Sequence, residues 1–157
     1  WRDSLHYGLE YQVPGTNLIL HGGVDDVWYH TKYKQVIVID YKSQANRREL
    51  TQRNYLSDVY HESYKIQLNV YAYLLQNMGF DVYPKGYFFV CNADRDEDGF
   101  YGKMNFEEAI IPYQLDYSNI ESMILEMHSL MNSSMVPDSN IACENCAYAR
   151  QRNSLGV

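Results

Sequence analysis

No apolar run in this chain approaches the roughly 18 residues that a membrane-spanning helix requires, and no signal-peptide pattern opens it. Cysteine is scarce and odd in number, three in 157 residues. That argues against a disulfide framework and fits a reducing, cytoplasmic compartment. Positive charge is also short: 13 Lys and Arg stand against 20 Asp and Glu, a net charge of −7. A general electrostatic grip on a polyanion is therefore not expected. Only local basic residues, among them Arg47, Arg48, Arg53, Lys65, Arg150 and Arg152, could form a basic rim. There is no internal repeat and no low-complexity tract. What is present suits one globular domain over 1–157: a hydrophobic fraction of 46%, enough to fill one core, and 16 tyrosines. Tyrosine supplies apolar area with a polar tip, for packing or for stacking on bases. Trp1 stands where Met would open a complete chain, so a fragment trimmed at its N-terminus is expected.

Residues 20–28 read Leu-His-Gly-Gly-Val-Asp-Asp-Val-Trp, and residues 36–42 read Val-Ile-Val-Ile-Asp-Tyr-Lys. One carboxylate, Asp25, follows a glycine pair; a second, Asp40, ends an apolar strand, with Lys42 two residues on. Side chains at i and i+2 of a strand share a face. Asp40 and Lys42 thus point the same way, while Asp26 would face away from Asp25. The run Val36–Ile39 is apolar on both faces, as in a strand covered from both sides. Charged residues directly after such a strand stand where open α/β sheets bind ligands. Two acids and a lysine there suit a divalent metal with a phosphate above it. Farther on, Gln67 and Tyr71 are four apart, on one helical face.

Gly-x-Val-Asp (22–25), Asp-Tyr-Lys (40–42) and Gln-x-x-x-Tyr (67–71), in this order, resemble the PD-(D/E)XK nuclease superfamily, in particular its RecB-like and CRISPR-associated exonuclease branch. The likeness is good over about residues 10–90 and looser beyond. It implies a three-layer α/β/α fold with a mixed central sheet, a restriction-endonuclease-like core whose usual first helix would lie near or before residue 1. It implies Mg²⁺ or Mn²⁺ held by Asp25, Asp40 and the Tyr41 carbonyl. Lys42 would support the transition state, Gln67 would orient the water or a phosphate, and Tyr71 would pack under the site or meet a base. DNA would be the substrate, with repair, recombination or mobile-element processing as the setting and a helicase or recombination protein as partner. Glu10 resembles an upstream acid of related sequences, and His6 is compared with the histidine that many RecB-like nucleases carry on their first helix; neither is expected to hold the metal. The alternative is a catalytically retired nuclease fold that binds nucleic acid or a protein.

The periodicity predicts strands over 8–13, 17–30, 35–42, 83–92 and 101–113, a polar loop or partly ordered insertion over 43–57, and helices over 58–78 and 120–131. Gly79 should end the first helix. Ser118 and Glu121 should form a capping box for the second, whose stripe Ile120, Ile124, Met127 and Met131 should be core. A polar tail, 133–157, carries Cys143-x-x-Cys146. An iron–sulfur cluster is not expected from three cysteines. Asp94–Gly99 matches the first half of an EF-hand loop, but Asn105 stands where its closing Glu should be, so a solvated hairpin tip is expected.

Overall fold

The computed structural model of the chain describes residues 8–99 and 101–156. It begins with a hairpin, β1 (Leu9–Gln12) and β2 (Ile19–Gly22), paired antiparallel across the turn that Pro14 and Gly15 start. The chain leaves β2 at Gly22 and enters a second sheet with β3 (Asp26–His30). The stretch 17–30, expected as one strand, is thus two strands in two sheets, broken at Gly23-Val24-Asp25. β4 (Gln35–Gln44) runs antiparallel to β3, β5 (Lys85–Ala93) parallel to β4, and β6 (Phe106–Gln114) antiparallel to β5. The order is β3-β4-β5-β6. Pro112 is tolerated because β6 is an edge strand that hydrogen-bonds on one side.

A parallel pair needs a crossover, and helices supply it. α1 (Gln52–Leu56), a 3-10 turn (Val59–His61) and α2 (Glu62–Asn77) connect β4 to β5. Of the two readings of 43–57, loop or partly ordered insertion, the structure has the second. β4 continues to Gln44, and Thr51 caps α1 by accepting the Asn54 N–H at 3.2 Å. Burial of Leu50 and Tyr55 anchors this short helix, a tertiary effect that local polarity concealed. α2 contacts β1 and β2 as well as β4. Sandwiched in this way, it buries Leu68, Tyr71, Ala72, Leu74 and Leu75. It ends at Asn77 with Met78 as its C-cap, and Gly79 follows at φ +92°, a conformation that favours glycine.

α3 (Ile120–Met131) does not start on the expected capping box. The Ser118 hydroxyl donates to Asp116 at 2.7 Å, and Glu121 accepts from the Tyr73 hydroxyl at 3.3 Å. The Asn119 carbonyl takes the Met123 N–H instead. Of the expected core stripe, Ile120 and Ile124 are buried, but Met127 and Met131 are exposed. Within the polar tail, residues 144–154 form α4 (Glu144–Ser154). The chain divides into two compact units between Met123 and Ile124. The first holds a mixed four-stranded sheet with flanking helices, the arrangement of a restriction-endonuclease-like α/β/α core. No helix among the described residues is long and apolar enough to cross a membrane.

Candidate active site

β4 outruns β3. Their pairing stops at Asp26 opposite Ile39, while β4 continues through Asp40, Tyr41 and Lys42, still paired with β5. Asp25 occupies the edge that β3 vacates, and its Oδ2 accepts the Tyr41 N–H at 2.9 Å. The N–H and C=O of one strand residue point to the same side. The Tyr41 carbonyl is therefore turned toward the edge where Asp25 lies. Asp26 goes the other way, as the pleat requires. Its Oδ2 accepts from the Tyr41 hydroxyl at 2.5 Å and from Trp28 Nε1 at 3.1 Å. The Tyr41 ring packs edge-on against Phe89 on that far face.

Asp40 and Lys42 share the face that α2 covers. Asp40 is wholly buried, and neither carboxylate oxygen has a hydrogen bond of ordinary geometry among the described residues. The Lys42 ammonium stands 2.5 Å from its Oδ2 as an ion pair. Lys42 also donates to Gln67 Oε1 at 3.1 Å, and Gln67 Nε2 donates to the Tyr71 hydroxyl at 2.7 Å. Asp40, Lys42, Gln67 and Tyr71 thus form one connected chain from strand to helix. Burial pushes the Asp40 carboxyl up to about 6; Lys42 opposes the rise and the Asp25 charge adds to it.

Gly22 has a steric reason to be glycine. A Cβ there would stand 2.9 Å from Leu74 Cδ1 and 3.0 Å from a Tyr71 ring carbon. The missing side chain lets the end of β2 close onto α2, which seats Tyr71 and, through it, Gln67. Gly22→Val should therefore cost roughly 1–3 kcal/mol by overpacking, read as a lower denaturant midpoint with unchanged slope. An unchanged midpoint would show that the contact yields freely.

Sequence reasoning missed three aromatic residues. Tyr64 lies with its ring under Lys42 Nζ, 4.6 Å from centroid to nitrogen. It precedes Gln67 by three residues, so the helical spacing that flagged Gln67 and Tyr71 also marked it. His61 stacks on Tyr64, and Tyr55 packs against His61 with its ring tilted by 33°. Tyr55 is buried with its hydroxyl unpartnered among the described residues, and burial, with the Asp40 charge adding, raises the pKa of that phenol. Nothing local in residues 43–57 marks Tyr55; long-range folding brings it here.

A family model for the PD-(D/E)XK nuclease superfamily matches residues 3–151. The chain belongs to that superfamily. Neither the curated proteins nor the solved structures give a match. Superfamily members generally hydrolyse phosphodiester bonds and typically use divalent metals such as Mg²⁺.

The residues of this superfamily member fit such an ion. Asp40 offers a buried oxygen, Oδ1, without a hydrogen-bond partner among the described residues, beside the Asp25 carboxylate and the edge the Tyr41 carbonyl faces. Two carboxylates and a carbonyl, completed by water and phosphate oxygens, are a hard-oxygen set that suits Mg²⁺. No group of three or more His, Cys, Asp or Glu side chains that could hold a metal occurs among the described residues, so a zinc-type centre is not built here.

The remaining candidates lie elsewhere. Glu10 is an exposed partner of His21 in the hairpin, 3.7 Å apart. His6 falls outside the described residues. Asp96 in the β5–β6 connection is engaged by Arg47 at 2.6 Å, and Asn105 donates to Glu97 at 2.6 Å. Cys143 caps α4, its Sγ accepting the Cys146 N–H at 3.3 Å. The hydrogen bond from Cys146 lowers the Cys143 thiol pKa.

Proposed function

We propose that this protein is a Mg²⁺- or Mn²⁺-dependent deoxyribonuclease of the RecB-like, CRISPR-associated exonuclease branch, with one nuclease domain. The observation that carries the reading is the placement of Lys42 between Asp40 and Gln67, 2.5 and 3.1 Å away. A strand motif and a helix motif separated in sequence meet at one ammonium. A retired fold would not need to keep Asp25, Asp40, Lys42 and Gln67 assembled, so this supports catalysis over the inert alternative.

Asp25 and Asp40, with the Tyr41 carbonyl, would hold the metal. When bound, it supplies Lewis acidity to the scissile phosphate and makes a nearby water more acidic. Asp25 is already oriented by the Tyr41 N–H, which lowers the cost of organising the site. Lys42, held by Gln67 and lying over the Tyr64 ring, brings positive charge to where negative charge grows on the phosphate. Gln67 holds Lys42 by its carbonyl and is itself held by Tyr71, which keeps the ammonium aimed. DNA substrate, exonuclease action and a helicase or recombination partner follow from the motif resemblance, and a cytoplasmic setting from the three cysteines.

The test is cleavage of end-labelled single- and double-stranded DNA and of RNA, with free and blocked ends, alongside Asp40→Asn. DNA-selective, end-dependent cleavage lost in the variant is the expected result. Cleavage that survives Asp40→Asn would end this reading.

Metal binding should also depend on pH in a defined direction. Asp40 titrates at about 6 in the metal-free protein, so below that pH a cation must displace its proton. Affinity should rise about tenfold per pH unit below 6 and level off above it. Calorimetry in buffers of different ionisation enthalpy would detect the released proton. Affinity flat between pH 5 and 7 would place the ionisation elsewhere.

A further inference from the structure

Lys42 and a divalent cation make competing claims on Asp40. The ammonium stands 2.5 Å from Asp40 Oδ2, and a cation held by the same carboxylate would repel it. The Lys42 side chain is only 17% exposed, so it does not simply swing into solvent. It needs other groups nearby that accept a positive charge. Gln67 Oε1 is one, at 3.1 Å. The face of Tyr64 is the other, at 4.6 Å, and a ring face attracts a cation without demanding hydrogen-bond geometry.

The Tyr64 ring is itself held in place. It stacks on His61 at 5.3 Å and 22°. His61 packs on Tyr55 at 4.1 Å, and its Nδ1–H donates to the Tyr55 carbonyl at 2.8 Å. Tyr55 in turn lies 5.4 Å from Phe88, in the core of the sheet. A column of four rings therefore runs from the centre of β5 to the ammonium. We propose that Tyr64 is a positioning residue: its ring draws Lys42 off Asp40, so that the lysine and a divalent metal occupy one site together. This rests on the nuclease reading for the metal, but it concerns a residue and a competition that the reading does not contain.

The experiment measures Mn²⁺ binding by calorimetry in the full chain and in four variants. Tyr64→Leu removes the ring and should weaken Mn²⁺ binding about tenfold, as the ammonium falls back on Asp40. Tyr64→Phe keeps the ring and should bind within about twofold of the unaltered protein. Lys42→Met removes the competitor and should bind Mn²⁺ more tightly. In the double variant Lys42→Met/Tyr64→Leu, loss of the ring should no longer matter. In cleavage assays Tyr64→Leu should lower kcat more than it changes KM.

Tyr64→Leu indistinguishable from the unaltered protein would overturn the proposal. So would a weakening that persists at full size in the Lys42→Met background, because a merely structural role predicts that. If Tyr64→Leu does not fold, Lys42→Met decides: weaker Mn²⁺ binding than in the unaltered protein defeats the competition. A chain that binds Mn²⁺ and cleaves DNA while these variants behave otherwise leaves the nuclease reading standing. A chain that binds no Mn²⁺ and cleaves nothing defeats both.

Discussion

Asp40→Asn is expected to abolish cleavage and to leave a metal-free protein that melts higher than the original at neutral pH. The loss of activity follows if Asp40 holds the metal as proposed, and should be on the order of a thousandfold or more. The gain in stability follows from burial. The Asp40 carboxyl is wholly buried, and its pKa stands about two units above the usual carboxylate value. Ionising it in the fold therefore costs on the order of 3 kcal/mol, at about 1.4 kcal/mol per unit. The sign follows from proton binding. Between about pH 4 and 6 the native state holds a proton that the unfolded chain has lost, so stability falls as pH rises through this window. Asn is neutral throughout and escapes that loss; the attraction of Lys42 for the carboxylate is already contained in the raised value. Melting without metal at pH 7.5 and pH 4 checks this: a difference at the higher pH should vanish at the lower. A variant that melts lower at pH 7.5, or still cleaves, would contradict the assignment. A carboxylate kept at a cost to stability is what a working site demands.

The second large effect is that of the ion. Protein stripped with a chelator should cleave nothing, and Mg²⁺ or Mn²⁺ should restore cleavage. Ca²⁺ should bind, protect the fold against heat and support no cleavage. Asp25, Asp40 and a carbonyl are oxygen donors that Ca²⁺ accepts. Its longer bonds, about 2.3–2.6 Å against about 2.0–2.1 Å for Mg²⁺, and its looser geometry would hold water and phosphate poorly. Ca²⁺ added to Mg²⁺-loaded protein should inhibit by competition. Equal rates with all three ions would rule out this mechanism.

Much of the site was written locally. Asp40 and Lys42 share a strand face because alternate residues must, and Gln67 and Tyr71 share a helix face because residues four apart must. The Asp25 and Asp26 choice follows from the same alternation, and the structure sends Asp26 to Tyr41 and Trp28 on the far face. Gly79 ended its helix for a conformational reason that any sequence reader can apply. The capping box failed because Ser118 had a nearer partner in Asp116, and competing side-chain acceptors are invisible to a four-residue pattern.

Residue spacing along the chain thus carried the faces on which the acids and the lysine lie and the pairing of a glutamine with a tyrosine, while the likeness of three motifs to a nuclease superfamily carried the fold class. Folding in three dimensions settled the rest. It divided residues 17–30 between two sheets, made a helix of 52–56 by burying Tyr55, and brought Tyr55, His61 and Tyr64 into a column under Lys42. It also raised the Asp40 carboxyl, because burial depends on every element packed around a residue and not on its neighbours in sequence. Periodicity is a property of a strand or helix alone. Burial, ring stacking and charge competition exist only between elements, and they appear when α1 and α2 close over β4 and β5.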